Sequence, residues 1–172
     1  MQVEGLQIRR AEPNDCSAIH EMFSSPKVFE GTLQLPYPSL EQWRQRLAEP
    51  GDGTYHLVAV AGGRVVGMLS VQTFPSRPRR RHVGAIGISV QAEWQGKGVG
   101  TALMRAGLDL ADKWLNLTRL ELEVYTDNEP AIRLYERFGF EREGILRRHA
   151  FRDGQYVDSY MMARLRPSSG EA

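Results

Sequence analysis

The chain has 172 residues, with 22 Lys and Arg against 21 Asp and Glu and a formal net charge of +1. Hydrophobic residues make up 41% and charged residues 25%, which excludes extensive disorder and suits one domain with one sizeable core. The balanced charge leaves no footprint for nucleic acid or an anionic membrane, and the single cysteine, Cys16, excludes an internal disulfide.

No apolar run reaches the length of a membrane span, and residues 1–5 lack the basic-then-apolar pattern of a signal peptide. A cytoplasmic protein without a bound metal is expected. Residues 6–10 read as a short first strand. Asn14 or Asp15 can cap a helix in which Cys16, Ile19 and Phe23 recur at helical spacing. Residues 25–38 read as irregular and are rich in proline. Ser39 with Gln42 fits a capping box, and Leu40, Trp43 and Leu47 then share one face of a second helix. Two β-prone runs, 55–60 and 65–71, meet at Gly62-Gly63 as a hairpin. After a loop at 75–78, residues 82–90 read as a strand. Leu120, Leu122 and Val124 alternate with Glu121, Glu123 and Tyr125, the period of a half-buried strand.

Two helices flank that strand. Val99, Leu103, Ala106, Leu110 and Trp114 line one face of the first. Ala131, Leu134, Tyr135 and Phe138 line one face of the second, and Gly139 stands where a left-handed cap would end it. Asp153-Gly154 turns a last hairpin into a strand over 156–165. The order is strand, two helices, three strands, helix, strand, helix, two strands. It predicts one α/β domain over 1–166, a mixed sheet with helices on its faces, followed by a flexible polar tail at 167–172.

The most informative stretch runs from Ile88 and Val90 through Gln95, Gly96, Lys97, Gly98, Val99, Gly100 and Thr101. A strand enters a glycine-rich turn and a helix begins at once. The first N–H groups of such a helix lack intrahelical partners, and its dipole adds partial positive charge, so a phosphate meets several donors together. A Walker A loop fails here, because Gly98 occupies the Ser/Thr position and Ala92 the first glycine. The Rossmann pattern fails too, since its third glycine falls on Thr101 or Leu103. What fits is Gln-x-x-Gly-x-Gly at Gln95, Gly98 and Gly100.

That pattern resembles the acetyl-CoA pyrophosphate loop of the GNAT superfamily. The stretch from Asn128 to Phe140, with Ala131, Leu134, Tyr135 and Gly139, resembles the family's second signature, Asn-x-x-Ala-x-x-Leu-Tyr-x-x-x-Gly-Phe. The resemblance covers nearly the whole chain. It implies a twisted, mostly antiparallel mixed sheet with about four flanking helices, splayed between the fourth and fifth strands. It implies acetyl-CoA as co-substrate, contacted by Ile88, Val90, Gln95, Gly96, Lys97, Gly98, Val99, Gly100, Thr101, Asn128, Ala131 and Tyr135. The pantetheine arm would enter the splay and pair with backbone near Val90. A neutral amine would attack the acetyl carbonyl directly, and Tyr135 would protonate the departing thiolate; an unperturbed phenol, of pKa about 10, is protonated at neutral pH. Tyr135 also fits a plain core position, and Asn128 a helix cap as well as a cofactor contact.

Many relatives carry a carboxylate base on the strand that matches residues 83–90, and this chain has none there. Glu30, His82, Glu123 or a water chain are the candidates. Gly84 and Gly87 fall in mid-strand, where they leave room for an acceptor or mark a β-bulge. Arg77, Arg79, Arg80, Arg81 and His82 open the same strand, far from its phosphate end. Arg80 or Arg81 would hold the carboxylate of an amino acid, or the run is a solvated hairpin or dimer contact. In all, Glu30, Arg80, Arg81 and His82 are the candidate acceptor residues. Residues 31–36, 77–80 with 82–83, and 156–158 resemble bacterial L-amino acid N-acetyltransferases, which favour apolar or aromatic amino acids. The tail of the last hairpin is also similar to polyamine and ribosomal-protein acetyltransferases. Competing readings are a protein N-terminal acetyltransferase and a non-catalytic acyl-CoA-binding sensor. A homodimer is expected from the family and from the free edge of the last hairpin.

Overall fold

The computed structural model describes residues 3–166; the tail at 167–172 lies outside them. The strands β1 (Gln7–Arg10), β2 (Thr54–Ala61), β3 (Arg64–Thr73), β4 (Val83–Val90), β5 (Arg119–Tyr125), β6 (Glu141–Arg152) and β7 (Gln155–Leu165) form one sheet. Its order is β1-β2-β3-β4-β5-β7-β6, antiparallel throughout except for the parallel pair β4 and β5. Around it lie α1 (Cys16–Ser24), α2 (Pro26–Phe29), α3 (Leu40–Ala48), α4 (Val99–Asp109) and α5 (Glu129–Arg137).

The turns follow the glycine chemistry. Gly62 and Gly63 both take positive φ, as do Asp153 and Gly154, so each pair closes a tight hairpin. Gly139 ends α5 at φ 82°, and Phe140 N–H reaches back to Tyr135 C=O at 3.1 Å. Ser39 caps α3 by accepting from Gln42 N–H. The stretch expected to be irregular holds the short helix α2, because Pro26 supplies a helical φ at the first position and Val28 buries beneath it.

Each face of the sheet carries its own core. On one, Ile19 and Phe23 of α1 and Trp43 and Leu47 of α3 pack on Val58 and Met68, with the Phe23 and Trp43 rings stacked at 4.7 Å. On the other, Val99, Leu103, Met104 and Leu108 of α4 and Ile132 of α5 pack on Leu69, Val71, Ile86 and Leu122. Leu103 is fully buried, so Leu103→Ala would cost roughly 2–5 kcal/mol. The face expected on α4 is only half right. Val99 and Leu103 point inward, but Leu110 is half-buried and Trp114 is 76% exposed. Residues Leu110–Trp114 wind into a wider π-type turn, which advances each residue by less than the α-helical angle and carries Ala111, not Trp114, into the core.

The parallel pair sets up the site. Only Val83 with Arg119, Gly84 with Leu120 and Ala85 with Glu121 are in register. Beyond them the two strands part, and the β5-facing edge of β4 has no strand partner as far as Val90. The sheet is thus open between its fourth and fifth strands, as the resemblance implied.

Candidate active site

A cleft of about 600 Å³ lies at this opening. Gly87, Ile88 and Ser89 of β4 border it on one side and Glu121, Glu123 and Tyr125 of β5 on the other, with Tyr135 of α5 behind. His56, Met68 and Ser70 extend its floor, Arg46 and Trp43 overhang it from α3, and the 31–34 loop covers it. Tyr125 anchors that loop by donating its hydroxyl to Thr32 C=O at 2.8 Å.

The two mid-strand glycines do different work. β4 pairs with β3 without interruption, so neither marks a bulge. A Cβ at Gly84 would stand 2.7 Å from Leu117 Cδ1, so that glycine admits core packing. A Cβ at Gly87 would meet nothing within 4 Å, so that one leaves open floor.

At the far end of β4 the chain turns through Gly96 and Gly98, both left-handed at φ 72° and 88°. Gln95 Nε2 donates to Val90 C=O at 3.1 Å and ties the turn to the strand. No side chain caps α4, and its first intrahelical acceptor bond starts at Ala102 N–H, so the donors of Val99, Gly100 and Thr101 stay free. Gly100 is pressed against Leu134, 3.2 Å from a would-be Cβ. Lys97 Nζ stands over the Trp94 ring at 5.4 Å. A second depression borders Gly98 and Thr101 and includes Arg105, a cation the sequence reading passed over because it lies a turn beyond the motif.

Tyr135 is buried against Phe140, and burial pushes its phenol up to about 12. Asn128 caps α5, its Oδ1 accepting from Ala131 N–H at 3.3 Å. Among the base candidates, Glu123 lines the cleft, whereas Glu30 and His82 are exposed outside it. Glu123 has a partner that sequence reasoning missed: His149 Nε2 stands 3.2 Å from Glu123 Oε2, and His149 Nδ1 lies 3.0 Å from Ser159 Oγ. The cause is a bulge. Leu146 pairs with Ser159 and Ala150 with Val157, so Arg147, Arg148 and His149 answer Asp158 alone. Arg148 takes φ 50° and donates its N–H to Asp158 Oδ1 at 2.7 Å, which turns His149 inward. Only the positive φ of a non-glycine residue betrays this, and no residue pattern announces it.

Arg80 and Arg81 do not line the cleft. Arg80 Nη2 donates to Glu121 Oε2 at 2.7 Å, and Arg119 Nε holds the other oxygen at 2.8 Å. Arg81 is exposed. The arginine in the lining is Arg46, which the sequence reading did not single out. Among the described residues no group of His, Cys, Asp and Glu is arranged to hold a metal, and no helix is long and apolar enough to cross a membrane.

Residues 16–140 match the model of the Acetyltransferase (GNAT) family. The chain belongs to the GNAT family. It is an N-acetyltransferase with acetyl-CoA as co-substrate. The acetyltransferase is 45% identical over 161 residues to the L-amino acid N-acetyltransferase AaaT of Escherichia coli, covering 94% of this chain and 98% of that protein. It is 27% identical to the spermidine N(1)-acetyltransferase of Escherichia coli, over 91% of this chain and 84% of that one. An acetyltransferase of the GNAT family from Streptococcus pneumoniae superposes with a TM-score of 0.82 at 27% identity, over 94% of this chain and 99% of that one.

Proposed function

We propose that the acetyltransferase moves an acetyl group to the α-amine of an apolar or aromatic L-amino acid by direct attack, with Tyr135 as general acid. The observation that carries this reading is that Tyr135, Glu123 and His149 line one cleft at the parted strands, so proton donor and proton acceptor face the same space. The full-length likeness to AaaT supports the acceptor class.

Bound acetyl-CoA supplies an activated thioester. The free donors of Val99, Gly100 and Thr101, beside the left-handed Gly96 and Gly98, suit its pyrophosphate, and Lys97 adds positive charge. The unpaired edge of β4 at Ile88 and Val90 suits the pantetheine arm, with Gln95 bracing the turn, and Asn128 and Ala131 at the start of α5 complete the proposed contacts. Burial keeps Tyr135 protonated at neutral pH, so it can give its proton to the departing sulfur. Glu123 takes the proton of the incoming ammonium, and His149, fixed by Ser159, orients its carboxylate. Phe74, Met68 and Met161 offer an apolar wall to the acceptor side chain. The reading includes a cytoplasmic homodimer joined through β6, the outermost strand, which presents Ile145 and Phe151 to solvent.

The test is CoA release from acetyl-CoA with the common L-amino acids, spermidine and a short peptide with a free amino terminus. Turnover with methionine or phenylalanine, and none with the peptide, supports the reading. Release with spermidine or peptide alone sinks the amino-acid half and leaves the cofactor half in place.

A further inference from the structure

We infer that Arg46, standing over His56 and Ser70, forms the subsite that takes the α-carboxylate of the acceptor; the inference rests on the amino-acid reading above.

The cleft sorts its charges by side. On the β5 side the acids are already matched, Glu121 by Arg80 and Arg119 and Glu123 by His149. On the β2–β3 side stands Arg46, the one arginine of the lining, and among the described residues no carboxylate comes within 4.0 Å of it. Its guanidinium lies over the Trp43 ring at 5.1 Å, and Nη1 donates to Gln34 Oε1 at 3.3 Å. Those contacts hold the plane of the fork and leave most of its donors open. A guanidinium so held matches a carboxylate through two parallel hydrogen bonds.

The floor beneath it continues the argument. His56 pairs in register with Ser70, and Ser70 with Gly87, so the three share one row on one face of the sheet. His56 Nδ1 lies 2.8 Å from Ser70 Oγ. Burial first, then the charges of Arg10 and Arg46, hold the His56 imidazole below its usual range, so it stays neutral and offers an N–H without a competing charge. Gly87 closes the row at the edge of the parted strands, with nothing over it. Neighbouring strands stand about 4.8 Å apart, so a carboxylate above Ser70 leaves an amine one carbon away between Ser70 and Gly87, turned towards the opening that Glu123 and Tyr135 border. A polyamine has no group for Arg46 to bind and would meet its charge as repulsion.

The measurement is kcat/KM for L-methionine against L-methioninamide, and for L-phenylalanine against its amide, in wild type, Arg46→Ala, Arg46→Gln and Arg46→Lys. Spermidine and a peptide run alongside. Arg46 is exposed, so its replacement leaves both cores intact, and acetyl-CoA affinity reports the fold. The expected result is a wild-type preference for the acid over the amide that falls about 10- to 100-fold in Arg46→Ala and Arg46→Gln, mainly through KM, and partly returns in Arg46→Lys. A preference that survives both neutral variants overturns the subsite while the amino-acid reading stands. A wild type that accepts spermidine or peptide and neither amino acid overturns both.

Discussion

Glu123 Oε2 and His149 Nε2 meet at 3.2 Å although β7 lies between their strands. Only the β6 bulge brings the imidazole across. Glu123→Gln keeps the shape of the side chain and removes the proton acceptor, so kcat should fall about 100-fold or more with acetyl-CoA affinity kept. Asp158→Ala removes the acceptor for Arg148 N–H and frees the bulge, so it should lower kcat by a smaller factor. Steady-state kinetics of both variants check this; a Glu123→Gln enzyme as fast as wild type removes Glu123 from proton transfer.

Tyr135→Phe keeps the packing on Phe140 and deletes only the hydroxyl. Loss of a general acid costs about 10²- to 10⁴-fold in kcat, and thermal stability should change little. The pH profile carries a second test. The folded phenol titrates near 12, above its ordinary value, so the proton-donating form persists up to that range. The rate should rise with pH as the amine deprotonates and show no alkaline limb from Tyr135 up to pH about 10. An alkaline limb in wild type centred near 9, missing in Tyr135→Phe, would contradict the burial of this hydroxyl.

The sequence made the order of elements along the chain legible because local chemistry sets it: alternation on β5, Gly-Gly and Asp-Gly turns, and the glycines before α4; the opening between the fourth and fifth strands came from the family resemblance alone. The rest of the cleft lining was not legible. Arg80 and Arg81 stood out as a run, yet neither is in the cleft lining, and Arg80 is paired with Glu121 at its border. Arg46 and His56 sit in ordinary amphipathic positions, and only the packing of α3 over β2 and β3 turns them to the same space. His149 depends on a register shift, which residue periodicity does not encode. Trp114 was misplaced for a related reason, since the π-type turn breaks the period used to read the helix.

The turn before α4 separates two kinds of glycine. Gly98 caps α4 at φ 88°, a left-handed conformation that costs a residue with a Cβ about 1–2 kcal/mol. Gly98→Ala should therefore tilt the free donors of Val99 and Thr101 and raise the KM for acetyl-CoA about tenfold. Gly100 is helical, and a Cβ there meets the flexible tip of Leu134 at 3.2 Å, so Gly100→Ala should have a smaller effect. Calorimetric titration with CoA ranks the two, and a reversed ranking would mean that close packing, not the left-handed cap, shapes this turn.

Far from the cleft, Asp15 joins β1 to α1. Its carboxylate accepts two hydrogen bonds from Arg9, at 2.8 Å each, and one from Glu12 N–H at 2.8 Å. The Arg9 hydrogen bonds, ahead of the Glu12 N–H and the Arg9 charge, hold it below the ordinary carboxylate range against the opposing cost of burial. Because the folded value is lowered, this stabilisation is complete above the unfolded pKa of about 3.9 and is lost as pH falls through the folded value. Asp15→Asn should cost about 1–3 kcal/mol at pH 7, since it takes the charge from a buried acceptor of three hydrogen bonds. Urea unfolding at pH 7 and again near pH 3 checks the sign: the gap between wild type and variant should narrow at the lower pH, and a gap that widens there would mean that Asp15 is not held as a carboxylate in the folded protein.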